Sequence, residues 1–592
     1  RVFLAESGLI GLTGGLLGTA LAVLLYRLAY GSPPDTVATW LQVAGLGIAL
    51  PLLMAMLATL YPAHRGARLL PLDALRGQER LAPTEATRRT MAWLGVAGVL
   101  AAALVIAIWW TLNGQPASTP PSATIATPLP ATSLPMPPPT AIPTPTPVAV
   151  AELPHSRIEL AVDVEGRRLE GQERIEFTNR TGNPLDVVAL RLYSNSPRWT
   201  PAGTLQEMLL QVEDVRWNGQ PVRVTLVASD TAVLLSLDNP LAPGEQATVD
   251  LAFEQEVRHS ASLPSDVWTL GSFFPMLAVH EAGGWRLDVC DFCPDIVYSQ
   301  SSFYEYTVTA PADWVIAATG EQVSAIRKSD STLTHFYEAG PVRDLALALS
   351  PELHVQSQEA TGVVVSVFSL PDDHQAGKIL HVAAEALRIF NERFGPYPYP
   401  SLRLAVFSGA GMTGWEYPGL IYLHYRQGDS LLDLFVAHEI AHQWWYGVVG
   451  NDVFTEPWLD EALAEYSAIL YLEETEGAGA VLPRLQAYED ELIRLHVLEG
   501  ENGLVGSAVW EFAPKGERYF DIVYGKGALF MNALRQEIGD EAFFAGWRTY
   551  YDWYKFGMST GRGFLEAMQQ AAGQDLRPFF EEWIGPLPPG EH

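Results

Sequence analysis

Cysteine is nearly absent: Cys290 and Cys293 are the only two in 592 residues. That scarcity excludes a disulfide-built scaffold and leaves room for at most one bridge. Basic residues are also few, 37 Lys and Arg against 68 Asp and Glu, for a net charge of −31. Nucleic acid held through a general basic surface is therefore excluded. No Gly-rich loop runs into Gly-Lys-Ser/Thr, so a P-loop nucleotide-hydrolysing engine is absent. The length exceeds what one hydrophobic core sustains, and several domains are expected.

What is present divides the chain in two. Residues 1–149 carry eight Lys/Arg and five Asp/Glu, so the acidic excess belongs to the remainder. Three apolar runs, about Gly8–Tyr26, Trp40–Leu60 and Met91–Leu112, are each long enough to cross a bilayer as a helix. The loop between the second and third holds Arg65, Arg68, Arg76, Arg80, Arg88 and Arg89, which places it in the cytoplasm. An odd number of spans then carries everything after residue 112 to the outer side. The reading for residues 1–112 is three transmembrane helices in contact with membrane lipid, multi-pass in the plasma membrane, with the rest of the chain extracytoplasmic. The chain opens on Arg1, and a preceding piece is expected.

Glu6-Ser-Gly-Leu-Ile-Gly and Pro62-Ala-His-Arg65-Gly-Ala-Arg68-Leu-Leu-Pro71-Leu-Asp-Ala-Leu-Arg76 resemble the last two spans and tail of the permease of lipoprotein-releasing and macrolide-exporting ABC transporters. This resemblance covers residues 1–80 and implies an ATP-hydrolysing cytoplasmic partner. Residues 113–150 follow as a linker, with 12 prolines between 115 and 149 and no charge there. Such a stretch is an extended spacer, able to reach on the order of 100 Å.

From residue 151 to about 355, short runs such as Ile158-Glu-Leu-Ala-Val-Asp-Val alternate polar and apolar residues between turn formers. Period-two alternation of this kind predicts a mostly antiparallel β domain. Helical periods set in at Ala383, and residues 356–592 form a second body that holds the chemistry. Cys290 and Cys293 lie among predicted strands, where they read as a local disulfide or two unpaired structural thiols with little bearing on function.

The decisive segment is Leu434-Phe-Val-Ala-His438-Glu439-Ile-Ala-His442-Gln-Trp-Trp. Two His four apart on a helix share one face, as a tetrahedral metal requires. Glu439, next to the first ligand, is placed to act on a metal-bound water. A catalytic zinc keeps three protein ligands. Glu461 follows on a helix opened by Pro457, after enough chain to turn and run back beside the first helix. Glu465, one turn further on, either holds the outer nitrogen of a ligating His or faces solvent.

The spacing His-Glu-x-x-His, eighteen residues, Glu resembles the gluzincin metallopeptidases, and within them the M1 family of zinc aminopeptidases that includes aminopeptidase N and leukotriene A4 hydrolase. The resemblance extends over about residues 155–585, including Leu270-Gly-Ser-Phe-Phe-Pro275. It implies an N-terminal β domain followed by a thermolysin-like α+β catalytic domain holding one zinc ion. The stretch Thr413-Gly414-Trp415-Glu416-Tyr417 matches the family's Gly-x-Met-Glu-Asn segment, with Trp415 and Tyr417 in place of Met and Asn. The match implies that Gly414, Trp415, Glu416 and Tyr417 bind substrate, Glu416 through the free α-amine. Tyr524-Gly-Lys526-Gly527 matches the segment carrying the family's oxyanion-stabilising tyrosine, and Phe579-Phe-Glu-Glu-Trp583 resembles the end of the catalytic domain. No stretch of the given sequence resembles the family's long helical-repeat domain, and a cleft more open on one side is expected.

The expected function is a membrane-anchored zinc aminopeptidase acting on peptides with a free N-terminus, with Glu439 and Tyr524 catalytic. Two readings compete with it. One is a catalytically silent peptide-binding or regulatory module of an ABC-type transporter; the other is a zinc hydrolase of another kind, an endopeptidase above all.

Overall fold

A computed structural model describes residues 148–587 apart from 198–207, 259–262, 265, 330, 410, 500–502 and 513–516. The three expected spans, and all but the end of the linker, lie outside the described residues. No helix among those described is long and apolar enough to cross a membrane.

The alternation read in the sequence becomes a hairpin. Strands His155–Asp163 and Arg168–Thr178 pair antiparallel from His155↔Glu176 to Asp163↔Arg168, and their buried positions alternate. Ile158, Leu160, Leu169 and Ile175 point inward while Glu159 and Glu170 face water; Glu173 is buried among them. These strands belong to an eight-stranded sheet that is antiparallel except where His155–Asp163 runs parallel to Ser302–Pro311. A four-stranded sheet covers its apolar face, and Val188, Leu190, Val233 and Leu235 close one core with Val249, Leu251 and Phe253. Each such side chain removed from water contributes about 2 kcal/mol.

A three-stranded sheet of Trp268–Gly271, Val315–Ala318 and Ala346–Ser350 joins this body to the next. Its inward residues Ala317, Ala346 and Ala348 are small, and Phe368, Phe407 and Tyr422 fill the space against them.

The second body is built on a five-stranded sheet in the order His354–Ala360, Val363–Ser369, Ser401–Ser408, Leu420–Tyr425, Thr413–Trp415. The three middle strands are parallel to one another, and both outer strands are antiparallel to their neighbours. Helix α1, Ala376–Phe394, makes the crossover that the first parallel pair needs. Helices α2, Leu432–Ala441, and α3, Trp458–Glu476, follow. Helix α4, Ala478–Glu499, leads on toward a π-helical stretch at Phe520–Lys526. α2 is apolar on nearly all sides, with Val436, Ala437, Ile440 and Ala441 buried, and such a helix must lie inside the body rather than on it. Two of its polar members, His438 and Glu439, are carried inside with it, while Asp433 in its first turn stays partly exposed.

Candidate metal centre

The loop between α2 and α3 returns the chain so that the two helices pack side by side. Pro457 precedes the first residue of α3, where a missing N–H costs nothing. Asp460 and Glu461 occupy the first turn, where the helix dipole favours negative charge.

His438 Nε2 lies 3.0 Å from His442 Nε2, and Glu461 Oε2 lies 3.3 and 3.4 Å from those two nitrogens. Three atoms so spaced are each about 2 Å from a common point, the bond length of zinc to nitrogen and oxygen. Glu461 Oε2 and Glu439 Oε2 are buried without a hydrogen-bond partner. An orphaned acceptor on the ligand triad and another on the neighbouring Glu439 are what a cation and its water would satisfy. The donor set fits zinc.

The outer nitrogens are also held. Glu465 Oε2 is 2.9 Å from His438 Nδ1, and Asp460 Oδ1 is 2.5 Å from His442 Nδ1. These contacts fix each ring with Nε2 aimed at the common point. Glu465 therefore lies against the His438 ring and largely out of solvent. Asp460, its counterpart on the other imidazole, is not singled out by the sequence; its one signal is its place beside Glu461 in a helix's first turn. From α4, Arg484 Nη2 contacts Glu465 at 3.1 Å and Tyr488 donates to the same carboxylate.

Burial disfavours charge on His438, but Glu461 and Glu465 outweigh it and push its pKa up to about 10. For His442, Asp460 overcomes burial in the same way. Burial pushes Glu439 up to about 8, against the pull of the two imidazoles. Five carboxylates, those of Glu416, Glu439, Asp460, Glu461 and Glu465, converge on two imidazoles, and the cluster calls for positive charge.

Tyr524 sits in the π-helical stretch, a geometry that recurs at functional sites. Its ring stacks on His438 at 5.6 Å, and its hydroxyl donates to Glu461 Oε1. Gly527 brings this stretch against α3, because a Cβ there would collide with Ala462.

Thr413–Trp415 is the edge strand, with Gly414 paired to Leu423. Half-buried Glu416 puts a carboxylate oxygen within 4.8 Å of donor atoms of His442 and Asp460. The loop after it is held by Gln443, whose Oε1 accepts from Gly419 N at 2.8 Å and whose Nε2 reaches the Glu416 and Tyr417 carbonyls at 3.3 Å. The ring of Tyr417 packs on Gly271 and, at 5.3 Å, on Tyr422, within the contact between the two bodies. Trp415 meets His424 edge-on at 5.6 Å. Gln443 and Arg343 are further residues that sequence reasoning passes over. The fully buried Arg343 donates to Ser299 O and Tyr446 O, each at 2.8 Å, and also to Gly557 O. It thereby ties the β-rich body to the loop that follows His442.

Residues 379–583 match the family model described as Peptidase family M1 domain. Over those residues the second body resembles an M1 peptidase domain. Among similar proteins, aminopeptidase N of Lactococcus lactis subsp. lactis is 30% identical over 228 residues, covering 35% of this chain and 26% of that protein. Aminopeptidase N of Lactobacillus delbrueckii subsp. lactis is 27% identical over 271 residues, covering 40% and 30%. Aminopeptidase M1 of Arabidopsis thaliana is 23% identical over 298 residues, covering 47% and 33%. The matches thus span about a third or less of these relatives' lengths. Among solved structures, an M1 zinc metallopeptidase from Deinococcus radiodurans has a TM-score of 0.55 at 21% identity, covering 74% of this chain and 95% of that one. A mutant of it bound to a Tyr-Ser-Ala substrate has a TM-score of 0.53 at 21% identity, with the same coverage. The β-rich body followed by the M1 domain is therefore a fold shared with a two-body relative along nearly its whole length.

Proposed function

We propose that the chain is a zinc aminopeptidase, removing N-terminal residues from peptides. The observation that supports this reading is the placement of Glu416, a carboxylate outside the ligand triad, with an oxygen within 4.8 Å of ligand atoms of His442 and Asp460. A carboxylate there is a reader for a free ammonium group.

His438, His442 and Glu461 hold the ion, and Glu465 and Asp460 keep the two rings oriented. Zinc, when bound, supplies Lewis acidity toward the scissile carbonyl and lowers the pKa of a water. Glu439 takes the proton of the attacking water on its unpartnered Oε2 and delivers it to the leaving amine. A pKa lifted by burial suits a group that must both accept and return a proton. The Tyr524 hydroxyl donates to the carbonyl oxygen as negative charge grows there, a contribution of about 3 kcal/mol when prealigned. Glu416 receives the substrate's ammonium, which fixes the first peptide bond at the reacting point. The outer edge of Thr413–Trp415 offers unpaired backbone to an extended peptide.

Aminoacyl-arylamides and their N-acetylated forms, given to the zinc-loaded chain, test the reading. Cleavage lost on acetylation supports it; cleavage indifferent to acetylation makes the protein an endopeptidase; zinc bound without cleavage makes it a binding module. We further propose that the three apolar runs before residue 112 anchor this body on the extracytoplasmic side of the plasma membrane. Protease accessibility in intact cells and in inverted vesicles checks that orientation.

A further inference from the structure

Helix α4 lies outside the pair that carries the ligand residues, and the mechanism above gives it no part. Its apolar positions Val481, Leu485, Tyr488, Leu492 and Leu495 recur at three- and four-residue spacing and form one stripe of an amphipathic helix. Leu485 and Leu495 are buried, and Val481, Tyr488 and Leu492 pack on the core. The stripe turns Tyr488 toward α3, with its hydroxyl on Glu465. Arg484 stands one turn away on the same face, its guanidinium over the Tyr488 ring at 4.6 Å.

The two oxygens of Glu465 face opposite partners. Oε2 is 2.9 Å from His438 Nδ1, whereas Oε1 accepts from the Tyr488 hydroxyl and, at 3.1 Å, from Arg484 Nη2. A carboxylate held at one oxygen swings readily about its last bond, and one held at both does not. The Arg484 charge also offsets that of a carboxylate whose side chain is 13% exposed. Tyr488 has a second contact. A Cβ built on Gly525 would lie 3.1 Å from Tyr488 Cδ1, so the ring packs against the π-helical backbone next to Tyr524. Tyr524 in turn stacks on the same His438 that Glu465 holds. One ring of α4 thus bears on two sides of the candidate metal centre.

We propose that Tyr488 and Arg484 are positioning residues for the metal centre. They clamp Oε1 of Glu465 so that Oε2 keeps the His438 ring turned with Nε2 toward the ion, and the Tyr488 ring sets the backbone that presents Tyr524. The proposal rests on the zinc peptidase reading above, for the ion and for the part given to Tyr524. Both residues act on the metal through Glu465 rather than on a ligand directly. The effect of the clamp on the metal therefore vanishes once Glu465 itself no longer holds the ring, and the two losses are not additive.

Zinc affinity, read by competition with a chromogenic chelator, is compared in the parent chain, Tyr488→Phe, Arg484→Met, Glu465→Gln and the double variant Tyr488→Phe/Glu465→Gln. Tyr488→Phe and Arg484→Met keep the bulk of each side chain and lose its bond to Glu465, and each should weaken zinc binding by about tenfold. The double variant should bind zinc as Glu465→Gln does, within about twofold. A residue that only stabilised α4 would add its own loss to that of Glu465→Gln. Tyr488→Ala, which also takes the ring from Gly525, should lower kcat on a Leu-arylamide at saturating zinc by about tenfold, with KM changed by less than about threefold. Unchanged zinc affinity in both Tyr488→Phe and Arg484→Met, or additive losses in the double variant, overturns the clamp while the peptidase reading stands. An unchanged kcat in Tyr488→Ala overturns the link to Tyr524; should that variant fail to fold, the Phe and Met variants still decide the clamp. Absence of turnover in the zinc-loaded parent chain overturns the peptidase reading and the link to Tyr524 with it, and the affinity comparison judges the clamp on its own.

Discussion

The carboxylate of Glu439 occupies the space where a side chain on residue 414 would be: a Cβ built on Gly414 falls among Cδ and both oxygens of Glu439. The edge strand and α2 approach each other only because residue 414 has no side chain. Gly414→Ala should displace the Glu439 carboxylate and lower kcat/KM by about 100-fold, since a shift of about 1 Å in a reacting group costs that much. Zinc content, measured on the same preparation, should equal that of the parent chain.

Removing the base itself should do more. Glu439→Gln keeps the shape and the zinc but cannot take a proton, and turnover should fall by about 1,000-fold or more. Near-normal activity in that variant would mean that another group handles the proton.

The ring-holding carboxylates should act on the metal. Asp460→Asn and Glu465→Gln should each weaken zinc binding by about 10- to 100-fold, read by competition with a chromogenic chelator. An unchanged affinity in both would show that packing alone orients the two imidazoles.

Arg343 should matter to folding rather than to chemistry. Its truncation to Ala leaves the buried carbonyls of Ser299 and Tyr446 without their donor, while Gly557 O keeps the N–H of Gly450. A loss of about 3 kcal/mol or more is expected in urea unfolding of the zinc-loaded chain.

Asp344, fully buried beside Ser272 and the Leu345 N–H, has its pKa pushed up to about 7 by burial, from 3.8. The native state therefore holds a proton there that the unfolded chain has released, and stability falls as pH rises from about 4 to 7, by up to about 1.4 kcal/mol per unit. Glu456, raised to about 7 by burial, adds a slope of the same sign. Urea midpoints across this range should decline less steeply in Asp344→Asn than in the parent chain. Equal slopes would show that Asp344 stays ionised in the fold.

The parts of the fold legible in the sequence are those with a short period. Alternation gave away the hairpin at His155–Thr178, and the i, i+4 pair placed His438 and His442 on one helix. Glu461 was legible because a third ligand is a chemical requirement and Pro457 marks where its helix starts. Asp460 was hidden because its partner, His442, is 18 residues away and nothing in local spacing pairs them. The strands His354–Ala360 and Val363–Ser369 were less legible than their neighbours, since Val363–Ser369 is buried on nearly every residue and so does not alternate. Gln443 and Arg343 act through backbone carbonyls far along the chain, and a carbonyl leaves no mark in a sequence.

What the sequence determined by itself is the chemistry on offer: two imidazoles and a carboxylate suited to zinc, a second carboxylate beside them to move protons, and an acidic excess for everything after the linker. Residue type fixes such properties wherever the residue lies. Only the tertiary structure decided which groups meet. It set Glu416 against His442, slid Glu439 into the gap left by Gly414, stacked Tyr524 on His438 and brought the Cys290–Cys293 loop to face Phe520. The physical reason is that these contacts join segments tens to hundreds of residues apart. Packing of two sheets and a helix pair sets the distances between them, and no local pattern encodes that.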